Sequence, residues 1–571
     1  MNDQSTGNAT VIIVGYGWVG NIIAAHLVQQ GLDVTVLERG EDLKQDACGH
    51  FHTASGERRP HDRTQNAAKE TFSLRYTSRE TALPIRRMGP FLSGSGAGGA
   101  GVLWGGLSPR FRPGSFVPVQ RFQRLTSENE FDGIEMRDWP INYDDLEDAY
   151  SIFEQIAGVS GPAGPVKGAG WRSRPYPVKP ASTNEGPEMF RQGATSLGLN
   201  VAELPVSEIS QSYTNLFGVT RTPCEQYGTS LATPLNTLDP YNRSSGRMTL
   251  ITGAQVRRVE HDGHRVTGVT YSKDGAEKTI SASAYVLAAW TLNNIRLLLL
   301  SKIGKPYDRN SGQGVVGRWL SNHLTYGATG FFTNRRIDSS LRTGAGWVVS
   351  DFENGLSAPD GSAVEYIGGV QMHSSNLELK PKPDVIVPPG VPRWGRRWKE
   401  ALRTYANSMV RINVTGEVVP HRDRYVDLDQ TYRDAWGDPL LRLTYDWKEN
   451  ERLQVRAMSG IGREILRSAG ADIVSVPENL SEHYNLAAYQ NSHVAGGAVM
   501  GANPETSVVN PELQSWDLDN LWVVGASSFP RNPAANPTAT VAALAMRASK
   551  SIQRHLKIDT AGTVKLHRME G

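Results

Sequence analysis

Two residues near the end of the chain have types and settings suited to proton chemistry. His493 sits in "NSHVAGGAVM", among small residues with Gly496 and Gly497 just behind it. An imidazole changes charge near neutral pH, so a positioned histidine can take a hydroxyl proton. Asn536 stands in "AANPTATVAAL", an Asn-Pro step that opens an apolar helical pattern. A carboxamide cannot exchange a proton at that pH, but it can hold and orient an oxygen. Each residue also has a plainer reading. A loop histidine is usually a hydrogen-bonded residue, and an Asn before Pro is usually a turn former. The choice turns on whether the chain also builds a ligand site beside the pair.

A nucleotide site is written at the other end of the sequence. "GYGWVG" places Gly15, Gly17 and Gly20 in the spacing G-x-G-x-x-G, directly after the apolar run "TVIIVG". Helical spacing follows over 18–30, and "DVTVLE" ends a second strand on Glu38. The glycines let the backbone approach a pyrophosphate, the helix N-terminus stabilises its charge, and the acid accepts ribose hydroxyls. An acidic Glu38 disfavours a 2′-phosphate. A second stretch, "GSGAGGAGVLWGG" over 94–106, carries far more glycine than a turn needs. Its N–H groups can crowd a planar ligand or phosphates. Pro537 suits the first turn of a helix starting near Thr538. The positive end of that helix would stabilise the negative charge of a reduced flavin.

These pieces need a scaffold, and its outline is legible. "INYDDLEDAYSIFEQIAGVSG" reads as a helix, and 247–289 alternates like a meander feeding a buried strand. "TLNNIRLLLLSKIG" is helical with a Gly stop, 325–475 turns mostly to strands, and 449–469 is a helix. Residues 40–130 read as loop-rich. The predicted fold class is α/β (α+β): a Rossmann-like dinucleotide domain over 1–110, 220–325 and 480–571, with a discontinuous substrate domain on a mainly antiparallel sheet over 111–219 and 326–479.

Composition narrows the function. The 571 residues are 39% hydrophobic and 21% charged, an ordinary globular balance. Sixty Lys and Arg against 58 Asp and Glu leave +2, too little to predict a nucleic-acid partner. Cys48 and Cys224 are the only cysteines, which excludes a disulfide framework and a thiolate-built metal centre. No H-x-x-x-H or carboxylate cluster suggests a metal. "AYVLAAWTLNNIRLLLLS" is broken by Asn293, Asn294 and Arg296, so no transmembrane segment is expected. No signal peptide is visible, which favours a cytoplasmic location, with the periplasm reachable through an exported partner subunit.

With these motifs the chain resembles the glucose–methanol–choline oxidoreductase family, and within it the gluconate 2-dehydrogenase and sugar-dehydrogenase flavoprotein branch. The resemblance is carried nearly end to end by "GYGWVG", "SRETALPIRRMGPFLSGSGAGGAGVLWGG", "RDWPINYDDLE", "LNNIRLLLLSKIGKPYD", "VPPGVPRWGRRWKE", "PLLRLTYDWKEN" and "QSWDLDNLWVVGASSFPRN". It implies bound FAD and oxidation of an alcohol to a carbonyl, with a sugar, glycoside, sugar acid or polyol as substrate. It implies His493 as general base and Asn536 as the orienting partner. It also implies that the backbone at Val256 meets the adenine. The expected cofactor-binding residues are Gly15, Gly17, Gly20, Glu38, Arg39, Gly98, Gly99, Leu103, Trp104, Val256, Ala526, Pro537 and Thr538. His373, His483, Tyr484 and Gln490 are further candidates for substrate contact.

Two departures from the family pattern carry expectations of their own. Some relatives attach FAD covalently through a histidine where this chain has Leu103, so FAD is expected to be non-covalent. Large subunits of the gluconate and fructose dehydrogenases resemble one another in a cysteine-rich run, where this chain has "CEQYGTSLATPLN" with Cys224 alone. One thiolate cannot hold an iron–sulfur cluster. Electrons would then leave to O2, a quinone-like carrier or a partner protein. An oxidase forming H2O2 is therefore an alternative. A small accessory subunit or a homo-oligomer fits the same picture. "KPKPDVIVPPGVPRWGRRWKE" reads as a proline-stiffened cleft edge or a subunit contact. An NAD-dependent dehydrogenase is disfavoured by the second glycine loop and the Asn-Pro helix. A non-catalytic flavin subunit is disfavoured by the His493 and Asn536 pair.

Overall fold

A computed structural model describes residues 9–42, 64–86, 94–119, 122, 132–225, 228–337, 344–352, 366–375, 387–485 and 493–557. The chain begins as the apolar runs predict. Strand Ala9–Val14, helix Trp18–Gln29 and strand Val34–Leu37 form a βαβ unit. "VIIV" and "VTVL" are buried on both faces, as strands inside a parallel sheet must be. Five parallel strands run in the order Met248–Ile251, Val34–Leu37, Ala9–Val14, Ala282–Leu287, Leu521–Val523. The region 247–289 is therefore not all meander. Its first strand joins the parallel sheet, and only Gln255–His261, Val266–Lys273 and Ala276–Ile280 form the antiparallel meander. Helices Trp18–Gln29, Asp144–Ala157 and Thr538–His555 pack together beside the parallel sheet.

A second sheet of six strands runs Ile473–Ser475, Asn322–Phe331, Met409–Val418, Val370–Ser375, Gly346–Val349, Val201–Glu203, antiparallel throughout. Side chains alternate across a strand, so pairing fixes which residues share a face. One face carries Leu324, Tyr326, Ile412, Val414, Val370 and Met372, all buried. Helices Glu185–Ser196 and Glu449–Ser468 cover it. The other face carries His323, Thr325, Gln371, His373, Asn413, Thr415 and Glu417, brought into rows by the pairs His323–Glu417, Thr325–Thr415, Gln371–Thr415 and His373–Asn413.

A smaller mixed sheet joins Phe72–Arg75 and Leu83–Pro84 to Tyr425–Arg433 and Pro439–Thr444. These two strands lie inside the stretch that reads as loop. One large apolar cluster runs through the parallel sheet, its helices and the covered face of the six-stranded sheet. The fold is α/β, a Rossmann-like sheet combined with a mainly antiparallel one. Among the described residues no helix is long and apolar enough to cross a membrane.

Candidate active site

A cleft opens at the carboxyl ends of the parallel strands, where open α/β sheets hold their ligands. Gly15, Gly17, Glu38, Arg39, Gly99, Leu103, Trp104, Val256, His493, Ala526, Pro537 and Thr538 all line it. Gly20, Gly98 and Asn536 are not on the lining. Gly20 lies against the first turn, where a Cβ would stand 2.0 Å from the Gly15 carbonyl oxygen. Gly98 donates its N–H to the Tyr16 carbonyl at 2.9 Å, which binds the second glycine loop to the first. Gly15 has φ +102, and a Cβ there would meet the Ala288 carbonyl at 2.5 Å. Only glycine fits that crossing.

Two helices start at this cleft. Trp18–Gln29 begins at Gly17 and Thr538–His555 at Pro537, and neither N-terminus has a side-chain cap. Their free N–H groups and dipoles suit anionic groups at both ends of a long ligand. Glu38 is buried, and its carboxylate accepts from the N–H groups of Tyr16 at 3.0 Å, Gly40 at 2.9 Å and Gly96 at 3.0 Å. It knits the two glycine loops together as well as facing the cleft. Arg39 bonds Glu70 at 2.7 Å and the Gly94 carbonyl at 3.3 Å. Trp104 donates its indole N–H to the Ala232 carbonyl at 2.7 Å.

The far end is assembled from several segments. Ser321 and Ala495 exchange backbone bonds of 2.9 Å, and Gly496 donates to the Ala526 carbonyl at 2.9 Å. Gly496 has φ +83 and lies so close to the Trp319 carbonyl that a Cβ would stand 2.1 Å away. The glycines behind His493 thus let its segment press between two neighbours. Asn532 donates its amide N–H to the His493 carbonyl at 2.7 Å, which ties the 532–536 loop to the histidine. The Asn536 carboxamide oxygen is buried without a hydrogen-bond partner, a state that costs about 1–3 kcal/mol unless something fills it.

The nearest ring to His493 is one that the sequence did not flag. His323 Nδ1 lies 2.9 Å from His493 Nδ1, and its Nε2 lies 2.8 Å from the Pro533 carbonyl oxygen. Burial first, and then the charge of His373, pushes the His493 imidazole down to about 4. Burial first, and then His493, pushes His323 down to about 3, against the pull of the Pro533 and Asn532 backbone. Both rings are neutral at physiological pH.

The remaining candidates divide. His373 lies on the polar face of the six-stranded sheet, close enough to influence His493. His483 bonds Asp446 at 2.7 Å and stacks on Tyr76 with ring centroids 4.4 Å apart. Tyr484 packs edge-on against Tyr445 and Trp447. Neither His483 nor Tyr484 lines the cleft. Gln490 and Cys48 lie outside the described residues. Cys224 is disulfide-bonded, so it is not a free thiol. Of the segment 380–400, the described part forms the start of a surface helix, Arg396–Tyr405, with Trp394 82% exposed, and none of it lines the cleft. Among the described residues no group of three or more His, Cys, Asp or Glu side chains is placed to hold a metal ion.

The GMC oxidoreductase models match residues 136–325 and 420–545. A gluconate 2-dehydrogenase flavoprotein from Pantoea cypripedii is 32% identical over 96% of this chain and 94% of its own. The chain belongs to the GMC oxidoreductase family. It is an oxidoreductase of CH–OH groups, and the family is flavin-dependent. A fructose dehydrogenase large subunit from Gluconobacter japonicus is 25% identical over 97% of this chain and 99% of its own. A paromamine 6'-oxidase from Streptomyces fradiae is 24% identical over 95% and 91%. Among solved structures, pyridoxine 4-oxidase from Mesorbium loti superposes with a TM-score of 0.59 at 18% identity, covering 96% of this chain and 100% of that one, and so shares the fold.

Proposed function

We propose that this GMC oxidoreductase oxidises a carbinol of a sugar, glycoside, sugar acid or polyol, with His493 as the base that takes the hydroxyl proton. The observation that carries this reading is a neutral imidazole on the lining of the cleft that also holds Gly15, Gly17 and Glu38, together with the uncapped N-terminus of Thr538–His555. FAD fits the cleft by the two bare helix N-termini and the glycine-lined turn, and when bound it supplies a two-electron hydride acceptor. Gly15, Gly17 and Gly99 admit the pyrophosphate, Glu38 and Arg39 face the ribose, and Val256 lies at the adenine end. Leu103, Trp104, Ala526, Pro537 and Thr538 lie toward the ring. Leu103 on the lining, in place of a histidine, supports non-covalent attachment. Asn536 holds the substrate oxygen by donating its carboxamide N–H while His493 takes the hydroxyl proton.

A polyhydroxylated substrate is supported by the polar face of the six-stranded sheet. It meets His493 through His323. Thr329, Ser375, Asn413 and Glu417 are buried there, each with a polar side-chain atom lacking a hydrogen-bond partner. At about 1–3 kcal/mol apiece these groups would consume much of a net stability of about 5–15 kcal/mol. Hydroxyls brought by substrate or water offset that cost. The electron acceptor is O2, a quinone-like carrier or a partner protein, with an accessory subunit or homo-oligomer as the assembly. Disulfide-bonded Cys224 leaves no thiolate for an iron–sulfur relay, and it favours an oxidising compartment over the cytoplasmic reading of the sequence. The two-domain division at 110, 220, 325 and 480 is supported by the parallel and antiparallel sheets, with the Phe72–Pro84 and Tyr425–Thr444 strands bridging them.

The test is anaerobic bleaching of the visible flavin spectrum by a panel of sugars and polyols, with wild type and His493→Ala. The variant is expected to keep its flavin and lose about 10²–10⁴-fold in reduction rate. Undiminished reduction in the variant would remove His493 from the chemistry. Peroxide formed on readmitting air would favour the oxidase.

A further inference from the structure

We propose that His323 locks the tautomer of His493, so that Nδ1 of His493 carries the hydrogen and Nε2 is the basic nitrogen. The proposal rests on the reading of His493 as the proton acceptor.

A backbone carbonyl oxygen only accepts. The Pro533 carbonyl lies 2.8 Å from His323 Nε2, so that nitrogen carries a hydrogen and donates it. A neutral imidazole has one N–H. His323 Nδ1 is therefore the acceptor nitrogen of its ring. The 2.9 Å contact between the two Nδ1 atoms then has one solution: His493 Nδ1 donates to His323 Nδ1. With its hydrogen on Nδ1, neutral His493 has its acceptor lone pair on Nε2. The opposite tautomer would set two lone pairs against each other at hydrogen-bond distance.

Geometry makes the lock stiff. The rings meet edge to face, with centroids 5.0 Å apart and planes at 88°. His323 is 2% exposed near the start of strand Asn322–Phe331, where pairing with strand Met409–Val418 fixes its direction. The adjacent Ser321 and Ala495 pair holds the two backbones in step. The Asn532 amide bonds the His493 carbonyl, and the Pro533 carbonyl bonds the His323 ring, so one loop holds both residues.

The arrangement is a lock and not a proton wire. When His493 Nε2 takes the hydroxyl proton, its Nδ1–H stays bonded to His323. Passing that proton onward would put the charge on His323, the ring pushed lower of the two, and its Nε2–H meets a carbonyl that cannot relay it further. The positive charge therefore stays on His493, steadied by its bond to a neutral acceptor. The other groups facing the pair are His373 from strand Val370–Ser375, Glu417 opposite His323, and Arg531, which is ion-paired with Glu417.

Nitrogen-15 NMR of histidine-labelled protein tests the proposal, since pyrrole-type and pyridine-type ring nitrogens resonate far apart. His493 is expected to show one tautomer at neutral pH, pyrrole-type at Nδ1 and pyridine-type at Nε2. In His323→Ala the signal should become a tautomer mixture, and kcat should fall roughly 10–100-fold with KM little changed. His323→Gln, whose amide offers an acceptor to His493 and a donor to Pro533, should recover most of both. A wild-type His493 with its hydrogen on Nε2 overturns the proposal, even if His323→Ala does not fold. So does a His323→Ala protein with an unchanged tautomer and kcat. If the tautomer is as stated but His493→Ala turns over normally, the lock stands and the assignment of the base falls.

Discussion

The two ends of the cleft are built by opposite means. At the nucleotide end a few contiguous residues do most of the work through their backbone. Gly15, Gly20 and Glu38 lie within one βαβ unit, and each acts by close approach or by accepting backbone N–H groups. At the histidine end the groups come from separate stretches: His323 from one strand, His373 and Asn413 from two others, His493 from a loop, and Asn532 to Asn536 from another. The first end is made by local sequence. The second exists only once strand register has been set. A backbone site tolerates no added atoms, whereas a side-chain site tolerates substitution of single members at graded cost.

The largest expected effect breaks the nucleotide end with one side chain. In Gly20→Val the Cβ would stand 2.0 Å from the Gly15 carbonyl, and backbone cannot swing aside as a side-chain tip can. The purified variant should carry little flavin per chain, whatever flavin is supplied. Wild-type flavin content in that variant would show that the turn adapts, and the contrast between the two ends would fail.

The same contrast explains what the sequence could reveal. The fingerprint was legible because its mechanism is local and its spacing fixed. His493 and Asn536 could be singled out by their setting and by the family resemblance. His323 could not, because "SNHLTYG" gives no local sign that a ring across the sheet edge awaits it. Its role comes from pairing with a strand far away in sequence. A usable signal lay in "RINVTGEV", where Arg411, Asn413, Thr415 and Glu417 alternate with Ile412, Val414, Gly416 and Val418. Such alternation ordinarily means that the polar side faces solvent. Here Asn413, Thr415 and Glu417 are buried, so alternation gave the two faces but not what covers them. The strand at Phe72–Arg75 was hidden for a like reason, since its main partner is Pro439–Thr444, and Leu83–Pro84 pairs in turn with Phe72–Arg75.

A smaller effect is expected from the polar face. Asn413 is 3% exposed, and its amide nitrogen has no hydrogen-bond partner. Asn413→Leu keeps the branching at Cγ and removes the unpartnered donor. The folded protein should be as stable as wild type or more so, because an unsatisfied buried donor is gone. Binding of the preferred substrate should weaken by one lost hydrogen bond, about 0.5–1.5 kcal/mol, a few-fold in KM. Lower stability with unchanged KM would mean that Asn413 serves the fold, and the polar face would then lose its claim to the substrate.

The smallest effect separates the two ends by pH. His323 and His493 have folded-state values of about 3 and about 4. An unfolded histidine titrates near 6.5. As pH falls below about 6.5 the unfolded chain binds protons at these positions while the native protein does not, so stability falls. The loss continues until the native rings also protonate, near 4 and then near 3. Above about 7 the term is flat. His323→Gln removes one of the two groups. Urea unfolding of both proteins at pH 7.5 and pH 5 should therefore show a smaller loss on acidification in the variant. His26 and His421, also pushed down by burial, to about 4 and about 3, remain in both proteins and cancel in the difference. Equal losses would mean that His323 gains its proton over the same pH range folded as unfolded, and it would then not be the buried, neutral acceptor that the lock requires.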